Sequence, residues 1–301
     1  MRIARSSTAR YAGRPRGSRA LVDPQSDDSA TGVPEGILPP DLPLGKASSI
    51  PDAYAPGVLV PIPRSTAQAQ LGVERTDFRG VDRWEAPEVS WLDRRGKPEV
   101  ACGEFRVPAD SRCLIESKSL KLYLFSLNQE GFRSREEVRS TIARDLSAAA
   151  GCEVEVEFHP LGTVPDRARG RMPGACIDEL GLGEEGVPSA AGRIEALRGT
   201  GEGVVQETLC THLFRSLCPV TSQPDWASIA LHYRGPRIDR VGLLRYWVSY
   251  RTTPGFHESC VERMFTDLDR ACRPEWMQLE ARFALRGGLA IHPLRKSLQA
   301  P

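Results

Sequence analysis

Cys218 and Asp225 stand seven positions apart in the run Cys218, Pro219, Val220, Thr221, Ser222, Gln223, Pro224, Asp225, Trp226. Proline fixes φ and removes a backbone donor, and Thr, Ser and Gln between prolines suit turns, so this run predicts a stiff loop rather than a helix or strand. A strand pattern follows at once. Ala227, Ile229, Leu231 and Tyr233 alternate with Ser228, Ala230, His232 and Arg234, anchoring one end of the loop to a sheet. A thiol and a carboxylate held in this way are the parts of a nucleophile and its proton donor or acceptor, provided the sulfur gains thiolate character. Arg215 upstream and Asp225 downstream are the charged groups at hand. Free cysteine is also among the most buried residue types, so a packing role for Cys218 stays open on these residues alone.

Three other groups carry chemistry. His257 and Glu258 follow the turn Thr253, Pro254, Gly255 and open a helix, where they either face a cleft or serve helix stability through the dipole. Arg286, Gly287 and Gly288 end a strand with a cation beside permissive backbone, which suits a phosphate or carboxylate. Glu116, Lys118 and Lys121 bring one acid and two bases together, and the two lysines share a helical face at i and i+3. Neither G-x-G-x-x-G after a strand nor G-x-x-x-x-G-K-[ST] is present, so a nucleotide cofactor must bind by another arrangement.

The 8 cysteines include no C-x-x-C pair, against a zinc ribbon or dithiol redox motif. Cys210 and His212 are the close Cys and His pair, and two ligands do not make a zinc site, so no metal is expected. With 301 residues, 40% of them hydrophobic, the chain can bury one large core or two modest ones. A net charge of +1 gives no global attraction to nucleic acid or an anionic membrane. No apolar run approaches the roughly 20 residues that span a bilayer. The first twenty positions carry Arg2, Arg5, Arg10, Arg14, Arg16 and Arg19 without an apolar core, unlike a secretory signal, and a cytoplasmic protein is expected.

Residues 1–56 are rich in Pro, Gly, Ser, Asp and Arg and read as a disordered extension, whose arginines leave contact with tRNA or another acidic partner open. Order is expected from Val58. Strands are predicted over 84–91 and 98–107 as a hairpin, then a helix start over 115–126. A helix follows, capped by Ser134 and Glu137 with Val138, Ile142 and Leu146 inward, and then a strand over 152–159. Residues 160–203 read as a connector. The second half repeats this grammar: a strand over 226–234, helices over 239–250 and 258–271, and a last strand from Met277 that ends at Gly287 and Gly288. Val261, Met264, Phe265 and Leu268 make a core stripe on the second of these helices. Two α+β halves, each an antiparallel sheet covered by helices, are the economical architecture.

Together and in this order these pieces resemble the 7-cyano-7-deazaguanine reductases, the nitrile reductases of queuosine biosynthesis, in their long two-module form. The likeness covers residues from about 57 onward. It rests on Glu116, Ser117, Lys118, Ser119, Leu120, Lys121, Leu122, Tyr123; on the loop 218–226; on Phe256, His257, Glu258 with Cys260, Val261, Glu262, Arg263; and on Arg286, Gly287, Gly288, Leu289. The resemblance implies two tandem tunnelling-fold modules, 57–175 and 176–301, with helices packed on one face of antiparallel sheets. It also implies a homodimer and reduction of the nitrile of 7-cyano-7-deazaguanine to an aminomethyl group with two NADPH. Cys218 matches the family's nucleophile, which forms a covalent thioimide, and Asp225 its proton donor. Ile115, Glu116, Ser117, His257 and Glu258 match substrate-contacting positions, with Glu116 able to take ring N–H donors. Ser117, Lys118, Arg286 and Gly287 match NADPH-contacting ones. Two rivals differ in kind: a GTP-cyclohydrolase-like pterin enzyme, which needs a Cys and His zinc site, and a catalytically silent purine- or tRNA-binding module, which needs Cys218 and Asp225 to be structural. Direct nucleic-acid binding is not expected of the reductase.

Overall fold

The computed structural model describes residues 50–73, 77–161 and 171–301. Most of the sequence-predicted extension therefore lies outside the described residues. Its last residues do not behave as a solvated tail: Tyr54 packs edge-on to Tyr123 and donates to Asp145, and the Tyr54 N–H donates to Glu130. Order begins before Val58 because hydrogen bonds, not an apolar run, fasten this segment.

The first half comprises β1 (Pro61–Pro63), α1 (Arg64–Gln70), β2 (Phe78–Leu92), β3 (Pro98–Pro108), β4 (Cys113–Ile115), α2 (Ser117–Ser126), α3 (Arg135–Ala150) and β5 (Glu155–His159). The second comprises β6 (Ala175–Cys176), β7 (Gly199–Leu217), β8 (Pro224–Ile238), α4 (Arg240–Val248), α5 (His257–Cys272), β9 (Trp276–Phe283) and β10 (Ala290–Ser297). β1 pairs with β4, and the other strands form one eight-stranded sheet in the order β5-β3-β2-β10-β9-β8-β7-β6. It is antiparallel except where β6 lies parallel to β7. The expected α+β class and antiparallel layout are what the chain adopts. No helix among the described residues is long and apolar enough to cross a membrane.

Cross-strand register puts Val156, Phe105, Trp84, Ile291, Leu279, Leu231 and Leu209 on one face of this sheet, and the helices cover that face. Two cores sit on it. One joins Trp84, Phe105 and Val156 to α2 and α3; the other joins Leu231, Leu279 and Phe283 to α4 and α5 through Leu243, Trp247, Val261, Met264, Phe265 and Leu268. The halves meet at β2 and β10, and Leu289 and Ile291 from the second half complete the first core.

The helix starts follow capping chemistry. Ser134 accepts from the Glu137 N–H and Asp239 accepts from Val241 and Gly242, each satisfying donors that the first helical turn leaves unpaired. Between α1, β2, α5 and β10 lies a buried lattice of four charges. Arg64 donates to Asp82 and Glu262 at 2.9 Å each, and Arg295 donates to Glu262 and forms an ion pair with Asp82, at 2.7 Å each.

The sequence reading missed two long strands. β7 begins inside what reads as a connector, at Gly199, and β10 was not expected at all. Asp225 also departs from expectation: it belongs to β8, opposite Ser216 of β7, and only 218–223 form the turn.

Candidate active site

The turn at Cys218 is closed by its own backbone. Cys218 N–H donates to Gln223 O at 2.8 Å and Ser222 N–H to Cys218 O at 3.0 Å, with Ser222 held at a φ of 55°. A non-glycine residue in the left-handed region costs on the order of 1–2 kcal/mol, strain that the flanking strand pair β7 and β8 sustains. The next wall comes from the strip before α5. Leu217 N–H donates to Thr253 O and Gly255 N–H to Leu217 O, so this strip zips alongside the end of β7 and delivers α5 beside the turn. A Cβ at position 255 would lie 2.9 Å from Leu71 Cδ1 and 3.0 Å from Cys260 Sγ, so those side chains would have to shift to admit one.

A cavity of about 150 Å³ opens between these pieces. Cys218, Asp225, His257, Glu258, Arg286, Ile115 and Ser117 all line it, with Thr221, Gln223, Trp84, Phe256, Leu289 and Ile291 among the rest of the wall. It draws on both halves of the chain. Asp225 is buried, with His257 Nε2 at 3.3 Å from one carboxylate oxygen and Arg286 at 3.3 Å from the other. His257 is stacked on Phe283, ring centroids 3.8 Å apart at 7°, and its buried Nδ1 has no hydrogen-bond partner among the described residues. Burial, and then the Asp82 carboxylate, push Glu258 well above the ordinary carboxylate range, to about 7.

Glu116 is not on this wall. It caps α2, its carboxylate oxygens accepting from Lys118 N–H at 2.8 Å and Ser119 N–H at 2.6 Å. Burial nevertheless raises its pKa against those bonds. Its role here is to hold Ile115 and Ser117 on the wall.

A second concavity of about 440 Å³ adjoins the first, sharing Ser117, Gln223, Arg286 and Leu289. Lys118, Lys121 and Gly287 complete the part that matters chemically. Ser117, Lys118, Arg286 and Gly287, expected together from sequence, thus lie in one groove. Lys121, which the sequence places on one helical face with Lys118 but the resemblance does not assign to NADPH, lines the groove too, and Gln223, to which sequence reasoning gave no role, accepts from Arg286 at 3.4 Å and stands on both walls. Gly287 adopts a φ of 57°, a conformation glycine takes without penalty.

A cysteine, a carboxylate and a histidine thus line one cavity of an antiparallel α+β scaffold, beside a groove that carries two lysines and an arginine. The family model described as "Nitrile reductase, 7-cyano-7-deazaguanine-reductase N-term" matches residues 50–158, and that described as "QueF-like protein" matches residues 224–301. Proteins named NADPH-dependent 7-cyano-7-deazaguanine reductase are similar over most of their length. That of Stenotrophomonas maltophilia (strain K279a) is 49% identical over 86% of this chain and 93% of its own, and that of Xanthomonas campestris pv. campestris (strain 8004) 50% identical over 87% and 95%. The chain belongs to the NADPH-dependent 7-cyano-7-deazaguanine reductase family, and is an oxidoreductase. A solved chain, "Crystal structure of the archaeosine synthase QueF-Like in the apo form", matches 33% of this chain and 96% of its own at 18% identity and a TM-score of 0.29. At that level the likeness speaks to neither fold nor function.

Proposed function

We propose that this protein reduces the nitrile of 7-cyano-7-deazaguanine to the primary amine of 7-aminomethyl-7-deazaguanine with two NADPH, through a covalent thioimide on Cys218. The observation that carries the reading is that Cys218, Asp225, His257 and Glu258 line one cavity whose wall is shared with a groove bearing Lys118, Lys121 and Arg286.

A nitrile carbon is a poor hydride acceptor until a nucleophile adds to it and its nitrogen is protonated. The Cys218 sulfur bonds to that carbon while the thiol proton passes by way of Asp225 to the nitrile nitrogen, giving a neutral thioimide. His257 and Arg286 hold the Asp225 carboxylate in place during the transfer. Hydride addition at carbon and protonation at nitrogen then give a thiohemiaminal. Its C–S bond breaks, the electrons return to sulfur, and the imine released accepts a second hydride and a proton to become the amine. The nearby apolar wall, Trp84, Phe256, Leu289 and Ile291, suits a flat bicyclic base, and an ionised Glu258 accepts the ring N–H and amino donors of its guanine-like edge.

The groove fits the cofactor on charge and on backbone. Two lysines and an arginine offset phosphates, while Gly287 leaves only Lys121 near where a Cβ would stand, Nζ at 3.6 Å. NADPH bound there would supply the hydride twice per turnover. Ser117, on both walls, would set the relation between base and cofactor.

The deciding experiment mixes the protein with 7-cyano-7-deazaguanine without NADPH and reads the intact mass. A gain equal to one substrate, mapped to Cys218 and absent from Cys218→Ala, is expected. No adduct on a protein that oxidises NADPH only when the nitrile is present would remove the covalent step. The same reading includes tandem modules over 57–175 and 176–301, a cytoplasmic homodimer and no direct nucleic-acid partner. The near-neutral charge supports the last, and light scattering tests the dimer.

A further inference from the structure

We propose that Cys176, Cys210 and His212 form a zinc site of the two-thiolate, one-imidazole class, on β6 and β7 and separate from the reductase cavity. Sequence alone shows two donors, Cys210 and His212. The third comes from the short parallel pairing of β6 with β7, which sets Cys176 directly opposite Cys210. Donor atoms of the three side chains all lie within 4.8 Å of one another. Around a tetrahedral zinc, ligand atoms are about 3.5–4 Å apart, given bonds of about 2.3 Å to sulfur and 2.0–2.1 Å to nitrogen. Small side-chain rotations close that difference.

The surroundings hold the donors in register. Ile177 N–H donates to Cys210 O at 3.0 Å, locking β6 against β7. Gly174, at a φ of 94°, lets the chain approach closely, since a Cβ there would stand 2.4 Å from Thr208 O. Asp178 accepts from the Thr211 hydroxyl at 2.6 Å and from the His212 N–H at 2.9 Å, pinning the backbone at the irregularity between Thr211 and Phe214. His212 Nδ1 lies 2.7 Å from Ser228 Oγ. When Nδ1 carries the proton, it donates to that hydroxyl and leaves Nε2 with its lone pair, the arrangement in which imidazole ligands are usually held.

Two thiols and an imidazole select zinc over magnesium or calcium, which take oxygen ligands. Three protein donors leave a fourth position for water. Cys210 is buried while Cys176 and His212 are exposed, so the metal enters from solvent and closes onto a buried sulfur. A metal here would fasten β6, which has only two paired residues, to the rest of the sheet.

The test uses full-length protein, reduced, stripped with a chelator, and reloaded with zinc before gel filtration and elemental analysis. Retention of about one zinc per chain is expected for the wild type and for Cys218→Ala, and loss of it for Cys176→Ala and His212→Ala with unchanged circular dichroism. Cobalt loading should give a thiolate-to-metal charge-transfer band in the first pair and none in the second. Both variant positions are exposed, so they report even if Cys210→Ala does not fold. The site is refuted if wild type retains no zinc, if Cys176→Ala and His212→Ala retain as much as wild type, or if a Cys176 to Cys210 disulfide persists in the reduced, stripped protein and blocks loading.

Discussion

In the proposed reaction Cys218 and Asp225 have different parts, and substitutions should separate them. Cys218→Ala removes the bond-forming sulfur, so the covalent adduct disappears and kcat falls by on the order of 10⁴ or more, while the base still binds. Asp225→Asn keeps the sulfur but not the proton relay. Adduct formation should persist and slow by about 10²–10⁴-fold in stopped-flow measurements. Glu258 gives the pH dependence. Its folded pKa, raised to about 7, means that the neutral acid dominates below that value and the carboxylate above it. A guanine-like edge needs the carboxylate, so at about one pH unit below this value substrate affinity should be about tenfold weaker than its plateau. Glu258→Gln should flatten the profile, measured by calorimetry on Cys218→Ala protein to isolate binding. The linkage to stability has the opposite sign. A raised carboxyl pKa stabilises the free protein below the unfolded value near 4.3 and loses that contribution as pH rises through about 7. Substrate-induced thermal stabilisation should therefore grow over the same interval.

At the scale of elements, helix starts do most of the positioning. Glu116 holds the first turn of α2 and thereby both Ser117 on the shared wall and Lys118 in the groove. Glu116→Ala leaves buried backbone donors without their acceptor and should cost about 0.5–2 kcal/mol in denaturant unfolding, with a several-fold rise in the KM for NADPH. An unchanged KM would mean that α2 does not set the groove. Much of this was legible in the sequence: the Ser134 cap and the α5 stripe follow local rules, while the grouping of Lys118 with Arg286 and Gly287 came only with the family resemblance. What local rules hid were β7 and β10. In β7 the period of two breaks between Thr211 and Phe214, and Gly199, Gly201 and Gly203 imitate a connector. β10 carries Pro293 inside a central strand and His292, Arg295 and Lys296 around it, a pattern that argues against a strand until β2 is seen beside it. The capping bonds of Glu116 were hidden for a related reason, since they become visible only with the helix that it starts.

At the scale of the whole molecule, the cavity depends on two halves keeping one relation. The contacts that hold it include polar ones: Arg64 and Arg295 share Asp82 and Glu262 across α1, β2, α5 and β10, and Gln68 adds a bond to Glu262 at 2.8 Å. Burial would raise Asp82, yet the two guanidinium groups outweigh it and hold its carboxyl below the ordinary range. Such a lattice adds little over apolar packing when complete, but losing one member strands the others' charge, at about 3–5 kcal/mol. Against a total of roughly 5–15 kcal/mol for a folded domain, that is a large share. Glu262→Ala should therefore lower the unfolding midpoint strongly although Glu262 does not line the cavity. Trp84 and Trp91 report on the first core and Trp247 on the second, so single-tryptophan variants can follow each half. Both probes should unfold together in the parent protein and separate in Glu262→Ala, with adduct formation on Cys218 lost at the earlier transition. A loss under about 1 kcal/mol, or probes that stay coincident, would place the coupling in the β2 to β10 pairing and not in the charges.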